Sequence, residues 1–175
     1  MSEPTGPITR SRGGFALRLA PEERTLVGRL LDEMRVLITD PSPSPAVGRL
    51  FPVTYPDDPE HEAEYQRLMR DDLVTSKVAG IDVVTDLFDR QGRTIRLDDG
   101  ELLALMQALN GVRLVLGTML DVGEDDIDGV DVDEEEEEDE DEAEESDVTP
   151  EHHLYGYLSW LLEACVQAIA DDEAP

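Results

Sequence analysis

Three histidines and one cysteine are the side chains of this sequence best suited to catalysis or metal binding. His61 stands between two glutamates near a predicted helix start, and His152 and His153 are adjacent. Since neighbouring helical residues point about 100° apart, that pair cannot share a metal ion as residues at i and i+4 would. Cys165 falls within an apolar helical pattern, which favours a buried and unreactive thiol. We therefore expect surface histidines and an inert cysteine.

The familiar catalytic and cofactor motifs are absent from the sequence. It contains no GxSxG nucleophile elbow, no glycine-rich phosphate loop, no CxxC pair and no HExxH helix. Neighbouring carboxylates such as Asp71 and Asp72 are more typical of a solvated helix face than of a general acid and base pair. The sequence therefore predicts a protein that is not an enzyme and that needs no cofactor.

One segment, EDDIDGVDVDEE, imitates a calcium-binding loop. Glu124, Asp126 and Asp128 take loop positions 1, 3 and 5, a glycine takes position 6, and Glu135 takes the bidentate position 12. Two departures weaken this match: Asp131 replaces the usual hydrophobic anchor, and a glutamate replaces the usual first aspartate. Because a run so rich in acids generates this spacing by accident, nonspecific cation condensation is the alternative, and we expect no specific metal site.

Charge divides the chain into two different halves. The formal net charge is −29, and all 14 basic residues lie between Met1 and Arg113. The remainder, from Leu114 to Pro175, carries 24 carboxylates and no Lys or Arg. Since such a field repels phosphates and anionic lipid surfaces, we expect no direct binding of nucleic acid and no membrane contact.

Nineteen of those carboxylates are concentrated in Asp121–Asp147. Such a run is typical of a solvated, disordered insert, and the alternative is a docking tail for a basic partner surface. We therefore predict a single domain over residues 14–170, interrupted by a disordered acidic insert at 121–148. Disordered tails are expected at 1–13 and 171–175.

Hydrophobic spacing and cap residues predict four α-helices. Their expected bounds are Pro21–Thr39, Pro59–Phe88, Gly100–Leu120 and Pro150–Ala170. The second helix either runs unbroken or breaks near Thr75 and Ser76. A proline-rich connector precedes it, and we expect this connector to pack Leu50, Phe51 and Tyr55 on the core.

Two short alternating segments, Gly14–Leu19 and Thr94–Leu97, predict strands that each precede a helix. A shift of 78 residues superimposes the two strand–helix units. The identical pairs are Arg18 and Arg96, Leu19 and Leu97, Glu23 and Glu101, Leu31 and Leu109, and Arg35 and Arg113. A pseudo-twofold would pair the strands, and chance similarity between amphipathic helices is the alternative. The fold class is therefore mainly α: a bundle of four to five helices with a minimal two-stranded sheet.

Apolar runs and cysteine content indicate where the protein resides. No stretch approaches the roughly 18 consecutive apolar residues of a membrane helix, and residues 1–14 lack the apolar core of a signal peptide. A single cysteine suits a reducing compartment. We expect a cytoplasmic protein.

Three segments carry a family resemblance: RLFPVTYPDDPEHEAEYQRLMRDDLV at Arg49–Val74, then RLVLGTML and LYGYLSWLLEA. On these segments the chain resembles the actinobacterial domain-of-unknown-function family numbered two thousand and seventeen, often encoded beside the ClpS protease adaptor. The family includes an actinobacterial oxidative stress regulator. The resemblance therefore implies a regulator of stress and cysteine-biosynthesis genes that contacts an alternative sigma factor. An intramolecular redox switch is not carried over, because Cys165 is the one thiol.

Two protein-binding functions follow from these observations. The first is a transcription or stress-response regulator that contacts sigma factor or RNA polymerase through an exposed face around Arg67, Arg70 and Lys77. The second is an accessory or adaptor protein linked to the Clp machinery, and a plain interaction domain is the remaining alternative.

Overall fold

The computed structural model describes residues 6–42, 44–121 and 149–170. Within them the strands are β1 (Ile8–Ser11), β2 (Gly14–Leu17) and β3 (Ile95–Leu97), and the helices are α1 (Pro21–Thr39), α2 (Pro59–Phe88), α3 (Asp99–Met119) and α4 (Pro150–Ala170). A 3-10 helix, Pro45–Leu50, lies between α1 and α2. The mainly α-helical class with a small sheet is therefore confirmed, and every α-helix ends within one residue of its predicted bounds.

The sheet has three antiparallel strands in the order β1-β2-β3, one more than expected. β1 lies in the segment 1–13 that we expected to be a disordered tail, so that expectation is wrong for Ile8–Ser11. A turn of Arg12 and Gly13 joins β1 to β2. Ile8 alone among the strand's residues is buried, and the other three are polar. Pairing with β2, and not an apolar pattern of its own, therefore specifies this strand.

The approach of β2 to β3 depends on a glycine. Gly14 has a φ of +143°, a value that side-chain-bearing residues rarely adopt. A Cβ atom at this position would overlap the carbonyl oxygen of Leu97 on β3. Only glycine therefore allows the two strands to meet here without distortion.

The long second helix begins at the predicted cap. Asp58 accepts a hydrogen bond from the backbone N–H of His61 at 3.1 Å, which satisfies a donor that the first turn leaves open. The helix then runs for 30 residues without a break at Thr75 or Ser76. Its fully buried residues all lie in its second half: Ile81, Val84 and Leu87. The first half of α2 is therefore largely a surface helix.

The 78-residue offset found in the sequence is also present in the structure. In the antiparallel pairing of β2 with β3, Leu17 lies opposite Ile95, and the offset makes these two residues equivalent. The helices that follow begin at equivalent residues, Pro21 and Asp99. A local pseudo-twofold axis through the Leu17 and Ile95 pair accounts for both observations, which favours an internal repeat over chance similarity.

Equivalent glutamates close the first turns of α1 and α3. Glu23 accepts a hydrogen bond from the backbone N–H of Ala20 at 2.6 Å, and Glu101 accepts one from that of Asp98 at 2.9 Å. Asp98 returns a side-chain bond to the N–H of Glu101 at 2.8 Å, which completes a capping box. Ala20 has no side-chain acceptor, so α1 keeps only half of this arrangement.

One hydrophobic core contains residues from every strand and helix. The central element is α3, against which α2, α4 and the 3-10 helix pack. Among the described helices, α3 also has the length and apolar content of a membrane span. Its position in the middle of the bundle accounts for that composition, because a helix enclosed by neighbours is apolar on most of its circumference.

The proline-rich connector meets the core only in part. Leu50 and Phe51 are buried as expected, whereas Tyr55 is 46% exposed, so the expectation for that residue is wrong. Glu62 of α2 accepts hydrogen bonds from the backbone N–H groups of Thr54 and Tyr55 at 2.9 and 2.8 Å. These bonds hold the segment against the exposed first turns of α2 and away from the core.

Candidate functional site

Two cations of α2 converge on one aromatic ring. Arg70 and Lys77 are seven residues apart, which places them on the same face of the helix. The Cζ atom of Arg70 lies 4.5 Å from the centre of the Phe51 ring, and the Nζ atom of Lys77 lies 5.8 Å from it. The Arg70 contact is worth about 0.5–1 kcal/mol where the cation stays partly solvated, whereas Lys77 lies near the distance limit of about 6 Å for such contacts. The ring therefore holds two like charges on one surface.

The 3-10 helix fixes the position of Phe51. Ser44 caps this helix by accepting a hydrogen bond from the N–H of Ala46 at 3.3 Å. At the other end the N–H of Phe51 donates to the carbonyl oxygen of Gly48 at 3.2 Å. Buried Leu50 anchors the segment in the core. The platform for the two cations is therefore built into the fold.

A third cation lies over a second aromatic ring. Arg113, the one basic residue of α3, has its Cζ atom 5.9 Å from the centre of the Tyr155 ring of α4. Its Nη2 atom donates to the side-chain oxygen of Asn110 at 3.1 Å. The Nε atom of Arg113 and the Nη2 atom of Arg70 are enclosed and meet no hydrogen-bond acceptor among the described residues. Because buried N–H groups normally find acceptors, each of these two guanidinium groups has one donor that the described residues leave unsatisfied.

None of these three cations forms an ion pair with a described carboxylate. We call Arg70, Lys77 and Arg113 the basic face. Arg35, which the 78-residue offset makes equivalent to Arg113, does have a partner: its Nη2 atom lies 2.7 Å from Asp82. The repeat thus retains the arginine in both copies, and a carboxylate of α2 pairs with only one of them. In a chain of net charge −29, the basic face is a local excess of positive charge.

A cleft of about 290 Å³ opens between α2 and α3 beside the basic face. Its apolar lining consists of Met34, Leu50, Leu73, Ala108 and Leu114, and two glycines, Gly80 and Gly111, complete the walls. Its polar lining consists of Arg49, Ser76, Lys77, Gln107 and Asn110. The lining contains cations, amides and a hydroxyl, and it contains no carboxylate, imidazole or thiol. It is therefore positive or neutral throughout.

Lys77 belongs to both the basic face and the cleft. Partial burial lowers the pKa of its ammonium group from the ordinary value of 10.5, because desolvation disfavours the charged form. No described carboxylate offsets this effect. An anion bound beside the Nζ atom would raise the pKa again, so protonation of Lys77 and anion binding favour each other.

The family model described as Domain of unknown function (DUF2017) matches residues 5–169. The chain belongs to the DUF2017 family. The match includes every strand and nearly all of every helix described above. No curated protein and no solved structure matches the chain.

The residues predicted to bind a partner of this DUF2017 protein are only partly brought together. Arg70 and Lys77 share the Phe51 ring. The side chain of Arg67 is 72% exposed and lies 3.9 Å from Glu64, outside the cleft. The structure therefore retains two of the three predicted residues in the candidate site and makes Arg67 a natural control position.

The histidines lie at helix starts. The Nδ1 atom of His61 is 2.5 Å from Asp58, and that of His152 is 3.0 Å from the hydroxyl of Thr149. His153 is exposed beside them. No group of three His, Cys, Asp or Glu side chains in the described ranges is placed to hold a metal ion. The histidines are thus surface residues at helix ends, as expected.

Cys165 is fully buried in α4, and burial raises the pKa of its thiol to about 12. This agrees with the expected inert cysteine, since a thiol with so high a pKa carries almost no thiolate near neutrality. The weak calcium candidate, Glu124, Asp126, Asp128 and Glu135, lies outside the described residues and stays a hypothesis.

Sequence reasoning missed three members of the site: Arg113, Tyr155 and Phe51 in its role as a platform. Phe51 was expected in the core, where it lies, but the pattern of apolar residues does not show that its ring face carries cations. Arg113 had a usable signal, because it is the one charged residue in the interior of α3. A charged residue is rarely found in a largely buried helix unless it makes a specific interaction.

Proposed function

We propose that this DUF2017 protein is a non-enzymatic regulator that binds another protein through the basic face, Arg70, Lys77 and Arg113. The observation that carries the proposal is the absence of ion-paired carboxylates at these three cations within the described residues of so acidic a chain. An acidic surface of a partner supplies the negative charge that the described residues do not place beside these cations.

The energetics of partly buried cations support this role. Removing a cation from water costs free energy unless an anion or acceptor compensates it. The enclosed N–H groups of Arg70 and Arg113 are uncompensated in the described chain. Arg70 and Arg113 are half-buried, and carboxylates of a partner would pair with the part of each guanidinium group that solvent reaches, since arginine forms paired bonds to a carboxylate with specific geometry. These cations therefore lower the stability of the free protein and would stabilise a complex in which carboxylates pair with them.

The partner class follows from the family resemblance. We propose sigma factor or RNA polymerase as the partner, with regulation of stress-response genes as the outcome and the cytoplasm as the location. The acidic half of the chain would repel nucleic acid, so the regulator acts through protein contact. The cleft beside the basic face has no carboxylate, imidazole or thiol in its lining, which supports binding over catalysis.

The first test measures binding of the full chain to purified RNA polymerase holoenzyme and to free sigma factor. Reversing two charges with Arg70→Glu and Lys77→Glu should weaken binding at least about tenfold, equivalent to about 1.4 kcal/mol. The matched control is Arg29→Glu with Arg67→Glu, which changes net charge equally at two exposed arginines outside the basic face. That control should leave the affinity within about twofold.

Two outcomes would contradict the proposal. Equal losses in both double variants would show that net charge, and not this face, controls binding. Wild-type protein that binds Clp components and neither polymerase nor sigma factor would instead favour the adaptor function. Circular dichroism of each variant establishes that a loss of binding is not a loss of fold.

A further inference from the structure

We propose that the cleft between α2 and α3 is a binding site for a small organic anion, namely a carboxylate or phosphate monoester attached to an apolar body. This inference goes beyond the proposed function, since it concerns a free ligand and holds or fails without any partner protein. It rests on the lining and the size of the cleft and on the open space at Gly80.

The size of the cleft suits a compact ligand. Its volume of about 290 Å³ lies at the lower end of the range for small-molecule sites. A molecule with a single ring, such as benzoate, is of a size that suits such a site.

The apolar and polar parts of the lining predict an apolar part and a charged part of the ligand. Met34, Leu50 and Leu114 offer apolar surface that would pack against a ring or short chain. Lys77 supplies a positive charge that no described carboxylate neutralises, and Ser76 and Asn110 supply hydrogen-bonding groups. Small-molecule sites combine apolar surface with polar groups that fix the orientation of the ligand. A neutral apolar molecule would leave the Lys77 charge desolvated, whereas an anion would pair with it.

Two glycines in helix interiors line the cleft, and they differ in what surrounds them. A Cβ atom at Gly111 of α3 would lie 3.0 Å from the Sδ atom of Met34, so close packing explains this glycine. At Gly80 of α2, a Cβ atom would meet nothing within 4 Å. Glycine destabilises a helix interior, and packing gives no reason for it at position 80. Gly80 lines the cleft, so a side chain at this position would enter the space that a ligand would occupy.

The test titrates the full chain with four probes and follows binding by calorimetry or by NMR. Benzoate and phenyl phosphate combine a ring with an anion, benzyl alcohol lacks the charge, and inorganic phosphate lacks the ring. Saturable binding of benzoate or phenyl phosphate is expected, at least about tenfold tighter than that of the other two. The tighter of the two ring anions identifies the headgroup.

Substitutions localise the binding. Lys77→Met should weaken it about tenfold or more, and Arg67→Met, on the same helix outside the cleft, should not change it. Gly80→Leu should abolish binding by filling the cleft, while the melting temperature stays the same or rises. Gly156→Leu, at another helical glycine with open space around its Cβ position, is the matched control.

Three results would overturn the inference: no saturable binding of either ring anion, benzyl alcohol binding as tightly as benzoate, or undiminished binding by a folded Gly80→Leu variant. None of these results depends on polymerase or sigma factor. Failure of the ligand site is therefore separable from failure of the proposed partner interaction.

Discussion

Arg35 and Arg113 occupy equivalent positions in the internal repeat and differ in whether a carboxylate meets them. Arg35 joins α1 to α2 through Asp82. Arg113 rests on Tyr155 and keeps an enclosed N–H group without a described acceptor. The ion pair of Arg35 contributes to the stability of the fold, whereas Arg113 has the features of an anion-binding residue. At the scale of single residues, this difference separates a structural arginine from one that we assign to binding.

The charge of Lys77 should cost stability in the free protein. The pKa of Lys77 is lower in the folded state than in the unfolded state. The unfolded chain therefore binds the proton more tightly, and the free energy of unfolding rises as the pH increases through the folded-state pKa toward 10.5. Lys77→Met keeps the length and removes the charge. We expect it to raise the free energy of unfolding by up to about 1 kcal/mol in urea titrations at pH 7.

The matched substitution is Arg35→Met, which removes the ion pair with Asp82. Here we expect a loss of about 0.5–1 kcal/mol, because the pair is partly solvent-exposed and such pairs are modest. A loss of similar size for Lys77→Met would show that this charge stabilises the fold, and the argument for the basic face as a binding site would lose its energetic support.

At the scale of elements, the repeat produces two helices with unequal N-terminal caps. Asp98 completes the capping box of α3, while Ala20 offers no side-chain acceptor to α1. In both helices the capping glutamate also binds a more distant side chain. Glu23 accepts from the hydroxyl of Tyr157 at 2.8 Å, and Glu101 pairs with Arg90. The two helix starts are thus tied to the rest of the molecule in the same way.

The unequal caps predict opposite effects at equivalent positions. Ala20→Ser supplies the missing acceptor for the first turn of α1 and should stabilise the protein by about 0.5–1 kcal/mol. Asp98→Ala removes the acceptor from α3 and should destabilise it by about 1 kcal/mol. Thermal and urea unfolding measure both. A destabilising Ala20→Ser would show that the two helix starts are not equivalent.

Sequence patterns predicted the helices because their signals are local. Asp58 with Pro59, and Thr149 with Pro150, mark helix starts within two residues of chain. β1 was missed because its polar residues form a strand only through pairing with β2. Arg70 and Lys77 were found because one helix carries both, whereas their common platform, Phe51, comes from a separate segment whose place only tertiary packing decides.

At the scale of the whole molecule, a basic face lies on a strongly acidic protein. Near 0.15 M salt, exposed charges interact over about 8 Å. A partner docked on the basic face therefore interacts mainly with the three cations, and the acidic remainder of the chain acts only on the parts of the partner that lie close to it. A fitting partner therefore presents an acidic patch to the basic face and neutral or basic surface around it. Such a match favours specificity for one partner surface, since a uniformly acidic or uniformly basic protein would be repelled at one of the two regions.

The most direct test of the central claim is hydrogen exchange, measured by mass spectrometry, of the full chain alone and with RNA polymerase holoenzyme. We expect the polymerase to protect backbone amides in and beside the 3-10 helix, around Arg70 and Lys77 of α2 and around Arg113 of α3. Amides near the exposed Trp160 and Ile169 of α4 should exchange as in the free protein. Protection confined to α4, or no protection anywhere, would contradict the claim that the basic face binds the partner.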